Sequence, residues 1–462
     1  MPWTLGEALA WLEDHVNLEA AVAGRMEPDL SRMRRLCALM GDPERAYPVV
    51  HVTGTNGKGS TTRMVTALLA ASGLAVGMYT SPDLEGVNER LAVAHGHIDA
   101  LVEDGEADAA DEDKETEPRV LGPVPIPGDD LATVLEAVAA LEPLVDGRPT
   151  RFEVLTAAAF RWFADSAVDA AVVEVGLGGL YDATNVVDAQ VAVVTNVSFD
   201  HEDVLGPTLE GIAAEKAGIV KPGSTLVLGV TDDTLAPVFL GAGAERAWQL
   251  GRHFGATADR VAVGGRLVSL RTPAAEYDDV YLPVHGAHQV ANAAVAVAAA
   301  EAFFGGPLAP DVVAEAFAGL RLPGRMEVMG RRPLVLLDGA HNVAGARAAA
   351  ATVAEEFPGD QGVVAVVGML RGRDPAHMLS ALGLDHARLV VACPAPSPRT
   401  VPAAEVAAAA RALGVEAQEV SGVGEAVELA LAAAGEDDRV LITGSLYVVG
   451  AARSVLRRRA AG

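Results

Sequence analysis

Residues 47–73 read YPVVHVTGTNGKGSTTRMVTALLAASG. YPVVHVTG (47–54) is a short β-branched run that stops at glycine, the pattern of a buried strand entering a turn. TTRMVTALLAASG (61–73) has the length and periodicity of a helix closed by Gly73. Between them, glycines 54, 57 and 59 let successive backbone N–H groups converge on an anion, and the start of the following helix adds its dipole. Lys58 is then placed to reach the β- and γ-phosphates of a nucleotide, and Ser60 or Thr61 to offer a hydroxyl to Mg²⁺. The match to G-x-x-x-x-G-K-[ST] is imperfect: Val52 stands where the first glycine belongs, and Gly59 separates Lys58 from Ser60. A glycine-rich turn that binds nothing is the alternative.

Working outward, apolar runs alternate with helical periodicity along most of the chain, which predicts an α/β architecture with a mainly parallel sheet. Strands are expected at 74–79, 169–176, 190–196 and 224–229, and helices at 131–145, 151–165, 208–218 and 288–304. The β-rich stretch from about 260 to 283 reads as an antiparallel flap. FFGGPLAP (303–310) is a Gly/Pro break, so the expected domains are 1–306, carrying the glycine-rich loop, and 307–462, a smaller Rossmann-like α/β unit. In the second unit, 333–339, 362–368, 387–393 and 438–444 look like core strands.

Composition narrows the function. The chain has 462 residues, half of them apolar, with 62 acidic against 35 basic side chains, a net charge of −27. Such a chain repels phosphate backbones and anionic lipid, so nucleic-acid and membrane-surface partners are not expected. The N-terminus has acids where a signal peptide needs Lys or Arg, and no apolar run approaches the ~18 residues of a membrane span; a cytoplasmic protein is expected. Cys37 and Cys393 are too few for a disulfide framework or a cysteine zinc site. Residues 103–117, EDGEADAADEDKETE, carry nine acids and one lysine and read as a solvated, disordered segment inside a loop of about 99–128. Against 31 arginines there are four lysines, at 58, 114, 216 and 221. Arginine cannot replace a compact ammonium at a phosphate or an amine that must react, so the surviving lysines other than Lys114 are candidates for chemistry.

The loop GTNGKGS resembles that of the Mur-ligase superfamily, and specifically of the folylpolyglutamate synthase/dihydrofolate synthase family. TSP (80–82) with NER (88–90), FEVLTAAAF (152–160), EVGLGG with DATN (174–185), FDHEDVLGPTLEGIAAEKAGIVKPG (199–223), HQVANA (288–293), LPGR (322–325), DGAHN (338–342) and GSLYVVG (444–450) are similar to that family's signatures and follow its order. The resemblance implies a P-loop Mur-ligase domain followed by a glutamate-ligase domain. It also implies an ATP-dependent ligase: ATP phosphorylates a folate carboxylate, or that of dihydropteroate, and the amine of L-glutamate displaces phosphate. A monomer is the family expectation.

The resemblance also implies roles for individual residues. Gly54, Thr55, Asn56, Gly57, Lys58, Gly59, Ser60 and Thr61 would hold the triphosphate. Ser60, Ser81, Glu174 and His201 would hold Mg²⁺, of which two ions are expected. Lys216, from EKAGI, would be carbamylated by CO₂ so that it supports the second ion. Asn292, of HQ-x-x-N with Gln289, would lie near adenine, and Arg325 and Asp338 would contact ATP from the other domain. His341, Ser445 and Tyr447 would serve glutamate, with Lys58, Lys216, His201 and His341 as the catalytic set. Read without the family, Glu174 is a strand-end carboxylate, where open α/β sheets place ligands, His201 a structural hydrogen bonder, Arg325 a linker arginine and Ser445 a helix cap. No role is assigned to Lys221. Asp83 stands where the family usually has histidine after TSP, and Leu180 where it often has arginine, both losses of positive charge near anionic ligands. Two other readings stay open: a Mur-type ligase for a different acid, such as a cell-wall nucleotide, which the short stretch ahead of the loop argues against, and a non-catalytic nucleotide-binding module.

Overall fold

The computed structural model describes residues 2–17, 29–96, 122–359 and 362–461; the acidic stretch 103–117 lies outside them. Eight strands form the first sheet: β1 (Val49–Thr53), β2 (Val76–Tyr79), β3 (Leu91–Ala94), β4 (Val124–Pro125), β5 (Ala170–Glu174), β6 (Val191–Val194), β7 (Thr225–Leu228) and β8 (Arg246–Gln249), in the order β4-β3-β2-β5-β1-β6-β7-β8. From β2 to β8 the pairing is parallel, while β3 and β4 add an antiparallel edge. β1 lies inside the sheet, between β5 and β6, with all five residues buried. A parallel strand covered on both faces must be apolar throughout, which is why 47–54 reads so clearly.

Both faces are layered. On one, the helix Lys58–Ala71 packs with the helices Ala287–Phe304 and Pro310–Ala318 and with an antiparallel three-stranded sheet, β9 (Gly255–Ala262), β10 (Gly265–Arg271) and β11 (Glu276–Leu282). Small alanines along 293–300 let Ala287–Phe304 lie close against its neighbours. On the other face, the helix Arg151–Asp165 packs with Leu5–Glu13, Ser31–Leu39 and Gly128–Leu141. Thr150 and Glu153 start Arg151–Asp165 with a reciprocal capping box.

A six-stranded sheet follows: β12 (Glu327–Arg331), β13 (Leu334–Leu337), β14 (Val363–Val367), β15 (Leu389–Ala392), β16 (Ala417–Glu419) and β17 (Arg439–Thr443), in the order β12-β13-β17-β14-β15-β16, parallel apart from β12. The break expected at 303–310 needs correction. Val313, Ala316, Phe317 and Leu322 are buried in the core of the first body, so the chain leaves that body after Leu322 rather than at residue 306. Pro310 simply opens another helix at a position where proline costs nothing. The short strands β3, β4, β8, β12 and β16, at or next to the sheet edges and none longer than five residues, escaped the sequence reading. Among the described residues, no helix is long and apolar enough to cross a membrane.

A cluster of charges ties the three-stranded sheet to the second body. Arg266 of β10 is almost fully buried and bonds Asp259 at 2.7 and 3.0 Å, Glu355 at 3.1 and 3.2 Å, and Glu356. Glu356 also accepts from the His285 ring at 2.6 Å and the Gly286 N–H at 2.7 Å.

His51, at the centre of β1, is fully buried, with Nε2 on Thr184 Oγ1 at 2.8 Å and Nδ1 without a partner. Burial lowers its pKa to about 3, well below an unfolded value near 6.5. The folded state therefore favours the neutral ring, and stability is lost as pH falls below about 6.5, on the order of 4 kcal/mol by pH 3. His51→Val is expected to flatten the dependence of melting temperature on pH between 6.5 and 4, read by circular dichroism melts.

Candidate active site

The carboxyl ends of β1, β5 and β6 meet at one crevice, where open parallel sheets place ligands. Gly54 and Gly57 adopt φ of 149° and 82°, and neither position has room for a side chain. A Cβ on Gly54 would lie 1.8 Å from Thr195 Oγ1, and one on Gly57 2.6 Å from Asn292 Oδ1. The loop is pinned by Asn196, which takes the Thr55 N–H on its carbonyl and the Asn56 N–H on its side chain, both at 3.0 Å. Thr61 N–H to Gly57 O closes the first turn of the helix. The N–H groups of Lys58, Gly59 and Ser60 thus face out of the helix start, the arrangement that binds phosphate. Thr61 is fully buried, its hydroxyl without a partner.

Two of the three singled-out lysines meet at one atom. Lys58 Nζ donates to Gly54 O at 3.0 Å and Thr55 O at 3.3 Å, and Lys216 Nζ, from the helix Leu209–Ala217, donates to the same Gly54 O at 3.0 Å. Burial, then the Lys58 charge, lowers the Lys216 pKa to about 7. Lys221 instead reaches Asn185 O at 3.4 Å.

Glu174 ends β5 and is buried beside the loop, 3.4 Å from where a Cβ on Gly59 would stand. Its Oε2 accepts the Ser81 N–H at 3.2 Å, and burial raises its pKa despite nearby Lys58. Ser60 and Ser81 line a cavity together with Glu174. His201 has φ of 52° and starts a short helix; burial lowers its imidazole to about 4 against the pull of Asp200.

Asp200 joins the two bodies. Its carboxylate receives Arg373 Nη2 at 2.7 Å and Asn342 Nδ2 at 2.9 Å, and lies 3.4 Å from His341 Nε2, all from the second body. Burial would raise its pKa, but His341, His201 and Arg373 hold it well below the usual carboxylate range. Asn56 of the loop exchanges hydrogen bonds with Asn342 at 3.0 and 3.3 Å. Asp200, Asn342 and Arg373 received no role from the sequence. The first two sit inside quoted motifs, whereas Arg373 carries no local signal.

The remaining expected residues fall around this crevice. Asn292 stands against Gly57 and donates to Gln289 at 3.0 Å. Asp338 accepts the N–H groups of Met326 and Ala340, both at 2.9 Å, and so fixes the loop carrying Arg325. His341 Nδ1 is 2.9 Å from Gly339 O. Ser445 Oγ accepts the Tyr447 N–H at 3.2 Å, the helix-capping contact. Of the two departures, Asp83 is bonded by the buried Arg90 at 2.6 Å, so it adds no free negative charge. Leu180 packs against Gly218 at the end of the Lys216 helix.

The Mur ligase middle domain family matches residues 138–300, and the Mur ligase glutamate ligase domain family residues 324–446. A dihydrofolate synthase/folylpolyglutamate synthase of Mycobacterium tuberculosis is 37% identical over 94% of this chain and 91% of its own length. The chain belongs to the folylpolyglutamate synthase/dihydrofolate synthase family. A folylpolyglutamate synthase of Lacticaseibacillus casei is 31% identical over 93% of this chain and 94% of its own. Among solved structures, Mycobacterium tuberculosis folylpolyglutamate synthase complexed with ADP and AMPPCP superposes with a TM-score of 0.84 at 34% identity, covering 98% of both chains. An Escherichia coli relative in complex with DHPP and ADP gives 0.80 at 28% identity, covering 100% and 99%.

Gly54→Ala is expected to weaken binding of a non-hydrolysable ATP analogue at least roughly tenfold, because the loop must move to relieve the clash with Thr195. Calorimetric titration of a variant with an unchanged circular dichroism spectrum measures this.

Proposed function

We propose that this chain joins L-glutamate to a folate carboxylate using ATP, with dihydropteroate as a further acceptor, in the crevice between the two bodies. The observation that carries the reading is the pair of lysine amines on Gly54 O opposite the buried Glu174, in a chain of this family. A carboxylate and an ammonium do not condense at neutral pH, so the carboxylate must first gain a leaving group. One acceptor oxygen attacks the γ-phosphorus of ATP, the bond to ADP oxygen breaks, and ADP leaves. The deprotonated glutamate nitrogen then attacks the acyl carbon, the carbon–oxygen bond to phosphate breaks, and phosphate departs.

The residues of this chain manage charge. The glycine loop N–H groups and Lys58 hold the triphosphate, Asn292 flanks the base, and Arg325 with Asp338 approaches from the second body. His341, Ser445 and Tyr447 serve glutamate.

The donor set fits Mg²⁺, which takes oxygen ligands and is held by one or two carboxylates plus substrate phosphates. Glu174 is such a carboxylate: buried, raised in pKa, and accepting one backbone N–H. Among the described residues no cluster of three or more His, Cys, Asp or Glu side chains is placed to hold a metal, which suits an ion completed by its nucleotide. Ser60, Ser81, Glu174 and His201 would hold it, and bound there it would neutralise phosphate charge. Lys216, whose pKa burial lowers to about 7 so that a substantial share of the amine is unprotonated at neutral pH, suits carbamylation by CO₂, and the product would support a second ion. Water is excluded by closure of the two bodies at Asp200.

The test is ATP-dependent phosphate release with product mass, using glutamate plus tetrahydrofolate, dihydropteroate or a cell-wall precursor in parallel. Turnover with the folate acceptors is expected, and turnover only with the last overturns the reading. Lys58→Ala and Glu174→Ala are each expected to lower kcat by about 10²–10³, the scale of losing one group that stabilises transition-state charge. Asp200→Asn is expected to raise the KM values for nucleotide and glutamate together, since it weakens the contact to Arg373 and His341.

A further inference from the structure

A cavity of about 220 Å³ opens beside Glu174, and neither Lys58 nor Lys216 lines it. One end is polar, with Ser60, Ser81 and Glu174, and the rest is walled by apolar groups such as Met78, Ala92, Pro125 and Leu322. Three arginines and two further acids also line it, and three of these five are already matched. Asp83 is held by Arg90 at 2.6 Å, Arg453 by Glu327 at 3.0 Å and by Glu85 at 3.2 Å, and Glu89 by the N–H groups of Leu84 and Glu85 at 3.0 and 3.3 Å.

Arg63 and Arg325 remain. Neither guanidinium has a hydrogen bond or ion pair among the described residues; Arg63 is partly buried, and the Glu89 and Glu174 carboxylates attract it only from beyond contact distance. Arg63 stands three residues after Ser60 on the helix Lys58–Ala71, hence on the same face, while Arg325 comes from the start of the second body. Both stay charged in any protein setting. Glu174 attracts both and offsets part of the repulsion between these two like charges from different bodies, and an anion bound between them would offset the rest.

We propose that Arg63 is a substrate-binding residue that receives the reactive carboxylate of the acceptor, with Arg325 closing on the same anion. The inference rests on the ligase reading above and extends it to the acceptor class: a carboxylate at the end of a long, largely apolar body, which the cavity walls accommodate. A nucleotide phosphate is the competing anion. Gly59 and Ser60 of the phosphate loop line only one end of the cavity, and the apolar groups Met78, Ala92, Pro125 and Leu322 that wall the rest favour the acceptor.

The experiment compares wild type with Arg63→Gln and Arg63→Lys. Binding of dihydropteroate and of its carboxamide is measured by equilibrium dialysis with a non-hydrolysable ATP analogue present, alongside steady-state kinetics and calorimetric titration of the nucleotide. For Arg63→Gln the expected result is a rise in acceptor KM of about 10- to 100-fold, the scale of a lost charge-assisted contact. Preference for carboxylate over carboxamide should vanish, and nucleotide affinity should stay within about twofold. Arg63→Lys should recover part of the preference, and it supplies the comparison if Arg63→Gln fails to fold. Unchanged acceptor KM and preference in both variants, or an equal loss of nucleotide affinity, overturns the proposal. If wild type prefers the carboxylate but turns over no folate acceptor, the ligase reading fails while the carboxylate site stands.

Discussion

One carbonyl oxygen, that of Gly54, accepts hydrogen bonds from two lysine amines, Lys58 and Lys216, and the rest of the site is arranged around that concentration of positive charge. The carbonyl is available because β1 ends in a buried position between β5 and β6, and because glycine alone fits beside Thr195. Burial and mutual repulsion make the arrangement costly for ammonium groups, and Lys216 responds with a lowered pKa. A bound anion offsets that cost, so the site is electrostatically poised for one. In a chain of net charge −27, this local reversal of sign lets polyanionic substrates approach.

The second body enters the same electrostatic frame through Asp200. Its carboxylate lies at the mouth of the first body but finds its partners, Arg373, Asn342 and His341, on the second. Because Asn56 of the phosphate loop also bonds Asn342, nucleotide binding and the approach of the two bodies involve the same atoms. Energy gained at the loop can therefore be used to order the residues of the second body that face the crevice.

Legibility in the sequence followed locality. β1, the loop and its helix were readable because the buried strand, the glycines and the helix are contiguous, and Lys58 and Lys216 because lysine is scarce. Asp83 looked like a lost positive charge, and its neutralisation by Arg90 was hidden because pairing seven residues apart depends on how the turn folds. Arg373 was invisible, since its partner Asp200 lies 173 residues away. The break at 303–310 misled for a related reason: Gly and Pro mark a local change of direction, whereas the body a helix joins is set by where Val313 and Phe317 find a core.

The Arg266 cluster bears on how the two bodies can move. Its guanidinium bridges one carboxylate on the three-stranded sheet and two at the end of the helix Val343–Glu356. Arg266 and Glu356 are almost fully buried, so separating them would leave each charge without its partner out of water, and the cluster resists being pulled apart. Opening of the crevice is then easier as a swing about this corner than as a separation of the bodies. Asp200 and Arg325 would travel along an arc, while Glu355 and Glu356 stay nearly still at its centre.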